Sequence, residues 1–277
     1  MISGRTALYG VMGHPVAHSL SPAMQNAAFA ELGIDAVYVA LAVAPDALSE
    51  AIRGAHALGF QGLNVTVPHK EKAGNWCVRL GGVAREVGAV NTLKRAPDGW
   101  EGTNTDAPAC RDLLTALGVG KRTKALLLGA GGAARAAGWA LLALGSAVRV
   151  AARRPEAAVA LCRDLSRLGQ HGHPEPAPWG EVAAEAAGAA VVVNGTSAGL
   201  HAKGEALPPL AWSKGQVAVD FVYGDTAFIC AARAAGARLV TGEQILLRQG
   251  ALAFTHWTGR PAPEAAMARA IAGRRDH

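Results

Sequence analysis

Between Lys124 and Arg135 the chain reads Lys-Ala-Leu-Leu-Leu-Gly-Ala-Gly-Gly-Ala-Ala-Arg. Apolar residues from Ala125 to Leu128 run directly into Gly129, Gly131 and Gly132. An Ala-rich stretch suited to a helix follows, from Ala133 to Leu144. A short apolar strand, a glycine turn and a helix are the opening parts of a βαβ unit that binds dinucleotides. In that reading Gly129 allows the tight turn and Gly131 lets the backbone approach a pyrophosphate. Ala134 takes the place of the third small residue, where the helix packs on the strand. The helix start offers backbone N–H groups and a positive dipole end to phosphates. The competing reading is a tight turn of an α/β protein that binds nothing.

The rest of the chain narrows the class. Its 277 residues leave room for two domains. With 51% hydrophobic and 17% charged residues, the composition is that of a packed globular enzyme. The net charge of +6 comes from scattered basic residues with little aromatic interleaving, so it suits anionic small molecules better than nucleic acid. Cys77, Cys110, Cys162 and Cys230 form no CxxC pair and are expected to be buried thiols in a reducing compartment. The first residues lack the charged and apolar regions of a signal peptide, and no apolar run is long enough for a membrane span. A cytoplasmic protein without membrane or nucleic-acid partners is expected.

Residues 1 to 106 alternate strand and helix, which implies a mostly parallel sheet with right-handed crossovers. Strands are expected at Thr6–Met12, Ala36–Val43, Gly62–Val67 and Gly88–Val90. Helices are expected to start at Ser21-Pro22, with Ser21 as N-cap, and at Asp46. Polar residues cluster where these strands end, the place where open α/β sheets bind ligands. His14, His18, Ser19 and Ser21 follow the first strand. Asn64 and Thr66 sit two apart on the third, on one face. Lys70 is expected to begin the next helix. Asn91 and Thr92 follow the fourth strand, and Asn104 to Asp106 lead into a further helix. Each has a plainer reading: Ser21 and Asp106 as helix caps, Asn91 and Asn104 as turn residues, Lys70 as a solvated surface lysine.

Seven blocks, taken together, resemble the signatures of the shikimate dehydrogenase family. They are Gly13-His-Pro-Val-Ala-His-Ser-Leu-Ser-Pro22, Asn64-Val-Thr-Val-Pro-His-Lys70, Gly88-Ala-Val-Asn-Thr92, Asn104-Thr-Asp106, the run from Gly129 to Arg135 with Asn194-Gly-Thr-Ser197, and Gln249-Gly-Ala-Leu-Ala-Phe254. The resemblance implies an α/β protein of two domains with a cleft between them. One is a substrate domain of residues 1–106, completed by helices from 243 to 277. The other is a Rossmann-type NADP-binding domain of residues 107–242. It also implies reversible, NADPH-dependent reduction of 3-dehydroshikimate to shikimate, in the supply of chorismate and the aromatic amino acids. The expected assembly is a monomer or homodimer.

The chemistry of the residues agrees with that implication. Ser19 and Ser21 suit a carboxylate, and Asn64, Thr66, Asn91, Asp106 and Gln249 offer the donors and acceptors that ring hydroxyls need. Carbonyl reduction requires a proton for the forming alkoxide. Lys70 suits that task, with Asp106 beside it to hold and polarise the ammonium. The resemblance assigns the same Lys70–Asp106 pair and adds Tyr223 as a substrate contact. On the cofactor side the residues are Gly129, Ala130, Gly131, Gly132 and Ala133 on the turn, with Thr196, Phe221 and Gly242 further on. After the second strand of this unit, Ala147–Ala151, stand Ala152, Arg153 and Arg154. An acidic residue there would favour NAD, whereas two guanidiniums suit a 2′-phosphate and hence NADP. The alternative for Arg153 and Arg154 is a solvated basic loop. The family block reads Asn-Arg-Thr, so Ala152 and Arg154 depart from it, and Thr226-Ala227 departs from the family's Thr-Pro. No metal is expected: His171 and His173 lack carboxylate or thiol neighbours. The remaining alternatives are a quinate/shikimate dehydrogenase of broader specificity and a non-catalytic NADP-binding sensor.

Overall fold

A computed structural model describes residues 2–167, 172–199 and 207–272. The chain divides into two compact units, one of residues 1–105 and 246–277, the other of residues 106–245.

The first unit runs β1 (Ala7–Gly13), α1 (Ser21–Glu31), β2 (Ala36–Ala42), α2 (Leu48–Ala57), β3 (Gly62–Val65), β4 (Cys77–Leu80), α3 (Gly82–Val87), β5 (Thr92–Ala96) and β6 (Gly99–Thr103). Its sheet has the order β2-β1-β3-β5-β6-β4. Parallel pairing joins β1 to β2 and β3, and antiparallel pairing joins β5 to β3 and β6. Met12, Leu63, Val65, Leu93 and Trp100 fill the core under α2.

The second unit runs α4 (Asp106–Ala116), β7 (Lys124–Leu128), α5 (Gly132–Ala143), β8 (Ala147–Ala151), α6 (Pro155–Ser166), β9 (Glu175–Ala177), α7 (Val182–Gly188), β10 (Val191–Asn194), β11 (Val217–Asp220), α8 (Ala227–Ala234) and β12 (Arg238–Val240). Its sheet, β12-β11-β10-β7-β8-β9, is parallel throughout. Parallel sheets are covered on both faces, so their strands read as continuous apolar runs. Leu126 to Leu128, Val191 to Val193 and Val217 to Val219 are all 1% exposed or less. Helix α5 is apolar nearly all round and accordingly buried. Helix α9 (Gly242–Thr258) begins in the second unit and ends in the first, and α10 (Glu264–Ala272) packs on α1.

Several local expectations are corrected. Ser21 is the first residue inside α1, and Leu20 occupies the cap position. The Ser19 hydroxyl instead accepts from the Ser21 N–H at 3.3 Å. Helix α2 begins at Leu48, two residues beyond Asp46. No helix starts at Lys70: Pro68 has no N–H to give, and the chain makes a tight turn with the His69 N–H donating to the Thr66 carbonyl. Gly88 to Val90 is not a strand, because Gly88 caps α3 in the left-handed region. Strand β11 ends at Asp220, so Phe221 and Tyr223 lie beyond it. Cys110 and Cys162 are buried, but Cys77 is only partly covered and Cys230 is exposed. Among the described residues no helix is long and apolar enough to cross a membrane, and no group of three His, Cys, Asp or Glu side chains is placed to hold a metal ion. His173 is exposed, and His171 lies outside the described residues.

Candidate active site

In the first unit, residues far apart in the chain meet in one buried hydrogen-bonded network. Antiparallel register sets Asn64 on β3 opposite Thr92 on β5. The Asn64 amide donates to the Thr92 hydroxyl at 3.2 Å and to the Asn91 carbonyl at 3.1 Å. Asn91 in turn donates to the Thr105 hydroxyl at 3.0 Å and accepts from the Thr105 N–H at 2.8 Å. Thr105 donates to Gln249 of α9 at 3.3 Å, and Gln249 donates to the Leu246 carbonyl at 3.0 Å. Asn64, Asn91 and Gln249 are each 8% exposed or less, yet each side chain finds partners. Three of the substrate residues read from the sequence thus share one constellation. Helix α1, which carries Ser21, is tied to α9 by Gln25, whose amide donates to the Gly250 carbonyl at 3.0 Å. Thr66 lies one residue past β3 and is half-buried, as are Ser19 and Lys70. The Lys70 carbonyl accepts from the Val90 N–H at 2.8 Å, which pins the turn that carries this side chain.

In the second unit the glycine turn has the form its residues imply. Gly129 has φ +102°, a conformation that L side chains rarely adopt, and its N–H donates to the Ala151 carbonyl at 2.8 Å. Gly131 is the N-cap of α5 and gives no side-chain cap, and no acidic residue stands in the first turn. Nothing lies within 4 Å of where a Gly131 side chain would start. Ala130, Gly132 and Ala133 around it are partly exposed. This leaves an open, positive helix end suited to phosphates. The third small residue, Ala134, packs against Gly195 rather than against β7 alone. A Cβ on Gly195 would fall 2.9 Å from the Ala134 Cα, so only glycine lets the loop after β10 come this close.

Arg153 and Arg154 follow β8 directly and are both exposed, and Ala152 is buried beneath them. Thr196 is held by Asn194, which accepts from the Thr196 hydroxyl at 2.6 Å and N–H at 3.1 Å. Gly242 opens α9 against Val222 and Tyr223. Asp106 is the first residue of α4 and is 4% exposed. Burial raises the Tyr223 phenol above its usual range and the Asp106 carboxylate adds to the shift, so these two side chains share a neighbourhood.

Sequence reasoning missed Tyr38, Thr105 and Asp220. The Tyr38 hydroxyl donates to Asn64 at 2.7 Å. Asp220 is fully buried at the end of β11 and accepts from Thr226 at 2.6 Å, Asn194 at 3.0 Å and the Val222 N–H at 3.0 Å. It therefore ties the loop carrying Thr196 to the segment carrying Phe221 and Tyr223. Burial lifts its carboxyl to about 6 against the pull of those three donors. The value lies above that of an unfolded chain, so the carboxyl adds stability below about pH 4 and loses it as pH rises through 6. A rise of about two units corresponds to about 3 kcal/mol. The unfolding free energy of the native chain, measured against that of Asp220→Asn, is expected to fall by up to this amount between pH 4 and pH 7. Urea titrations at the two pH values check it, and a constant difference between the two proteins would refute it.

The chain is similar to known proteins over nearly its whole length. Residues 11–93 match the family model of the shikimate dehydrogenase substrate binding domain, and residues 242–272 match that of the shikimate 5'-dehydrogenase C-terminal domain. Shikimate dehydrogenase (NADP(+)) of Anaeromyxobacter sp. (strain K) is 66% identical over 274 residues, 99% of each chain. The crystal structure of shikimate dehydrogenase from Aquifex aeolicus is 36% identical, with a TM-score of 0.89 over 98% of this chain and 99% of that one. The Thermus thermophilus shikimate 5-dehydrogenase in complex with NADP(H) and shikimate is 35% identical, with a TM-score of 0.84 over 96% and 98%.

Proposed function

The chain belongs to the shikimate dehydrogenase family, and from that premise we propose how its own residues carry the reversible, NADP-dependent reduction of 3-dehydroshikimate to shikimate. The observation that carries the substrate side is the convergence of Asn64, Asn91 and Gln249 in one buried network of the first unit. Such a network presents fixed donors and acceptors to a polyhydroxylated ring. Ser19 and Ser21 bind the ring carboxylate, and Thr66 and Tyr223 complete the contacts to the substrate.

The second unit fits NADP. Its glycine turn is open at Gly131, its α5 N-terminus carries no acid, and two arginines stand where an NAD site would hold a carboxylate. Gly129 to Ala133 receive the pyrophosphate, Ala152 to Arg154 the adenosine end with its 2′-phosphate, and Thr196, Phe221 and Gly242 the nicotinamide end. When bound, NADPH supplies the hydride. The Lys70 ammonium gives its proton to the oxygen that becomes the new hydroxyl, and in the reverse direction the lysine takes it back. The buried Asp106 carboxylate orients that ammonium and accepts from a neighbouring ring hydroxyl.

We further assign the enzyme to the cytoplasm, as a monomer or homodimer. The four unpaired cysteines suit a reducing compartment. Initial rates with shikimate and with quinate, each with NADP+ and with NAD+, test the proposal. Shikimate with NADP+ is expected to give the highest kcat/KM. A preference for quinate, or for NAD+, would overturn the assignment of substrate or of cofactor respectively.

A further inference from the structure

Tyr38 lies in the middle of β2 and is 1% exposed. Strand β1 separates β2 from β3 in the sheet, so the Tyr38 ring spans one strand to reach Asn64. From that contact hydrogen bonds lead on through the buried network. The Asn64 amide donates to Thr92, and Thr92 donates to Asn91 Oδ1 at 3.0 Å. Asn91 donates to Thr105, and Thr105 donates to Gln249 Oε1. The two threonine hydroxyls have alternatives: that of Thr105 also reaches Asn91 Oδ1 at 3.2 Å, and the Thr92 and Thr105 hydroxyls lie 3.2 Å apart with either able to donate. Two backbone groups fix the sense of the two amides: the Asn91 carbonyl can only accept, and the Thr105 N–H can only donate.

The direction determines what each amide has left to offer a ligand. Both amide hydrogens of Asn64 are used, by the Asn91 carbonyl and the Thr92 hydroxyl, and Tyr38 occupies one lone pair of its oxygen. Asn64 is left with one acceptor position. Both lone pairs of Asn91 Oδ1 are taken, by the Thr105 N–H and by a threonine hydroxyl, that of Thr92 at 3.0 Å or of Thr105 at 3.2 Å, and one amide hydrogen remains. Asn91 is therefore left as a donor. Among the described residues, the Asn64 amide is gripped at its nitrogen by two partners and at its oxygen by Tyr38 alone.

We infer that Tyr38 is a positioning and specificity-determining residue: its hydroxyl holds the Asn64 oxygen so that a single acceptor position faces a ring hydroxyl of the substrate. Tyr38 acts through Asn64. Without the phenolic hydroxyl, the oxygen end of the amide has two vacant acceptor directions, and a substrate hydroxyl can take the wrong one. This rests on the proposed shikimate reaction.

A double-mutant cycle tests it. Tyr38→Phe is expected to raise the KM for shikimate about 5- to 10-fold, the scale of one neutral hydrogen bond, with kcat within about twofold. In an Asn64→Ala background the same change is expected to move KM less than about twofold, because the group it acts through is gone. Asn64→Ser serves if Asn64→Ala does not fold. An unchanged KM in Tyr38→Phe, or an equal loss in both backgrounds, overturns the inference while leaving the reaction of the native enzyme intact. A native chain without activity on shikimate overturns the proposed function, and this inference with it.

Discussion

Replacing Lys70 by Ala is expected to lower kcat at least about 100-fold, the low end for a lost general acid, with little change in the KM for 3-dehydroshikimate. The backbone around Lys70 is held from several sides, so the loss reports chemistry rather than a displaced loop. The Lys70 carbonyl accepts from Val90, the His69 N–H donates to Thr66, and the buried His69 ring bonds the Val43 carbonyl at 2.8 Å. None of these contacts uses the lysine side chain. An interaction made only as charge develops on the substrate oxygen should appear in kcat. Steady-state rates of NADPH oxidation with 3-dehydroshikimate decide the matter. A variant that keeps kcat within a few fold removes Lys70 from the reaction.

The second large effect concerns the cofactor. Changing Arg153 and Arg154 together to Ala is expected to raise the KM for NADPH at least about 100-fold, because hydrogen bonds to charged groups are each worth about 1.5–3 kcal/mol. Both guanidiniums stand on the solvent side of the turn after β8, and Ala152 beneath them is buried and untouched. Use of NADH, which has no 2′-phosphate, should stay within about threefold. The two kcat/KM values, measured side by side, separate recognition from folding. Equal losses with both nicotinamides would show that the arginines support the loop and not the phosphate.

These expectations rest on parts of the chain that were unequally readable. The second unit declared itself because both faces of its parallel sheet are covered. Its strands at 124–128, 191–194 and 217–220 are short apolar runs, and the glycine turn between β7 and α5 follows from the residues present. In the first unit, β4, β5 and β6 went unread. Lys94, Arg95 and Glu101 are only partly buried in β5 and β6, and β4 is an edge strand, so these strands lack a continuous apolar signature. The turn Pro97-Asp98-Gly99 carried a usable signal, since such residues join antiparallel strands. Asp220 carried no local signal of its setting: the side chains that close over it, Thr226 and Asn194, stand on other elements.

The sequence by itself determined where the glycine turn lies, which type of residue follows β8, and that strands and helices alternate. All of these depend on neighbours within a few positions along the chain. Only the tertiary structure decided that Tyr38, Asn64, Asn91, Thr105 and Gln249 form one network, and which of their donors and acceptors are already spent. Hydrogen-bond partners in a sheet are set by strand order and register. Chain spacing carries no record of either, and that is why residues as distant as Thr105 and Gln249 become neighbours only once the backbone has folded.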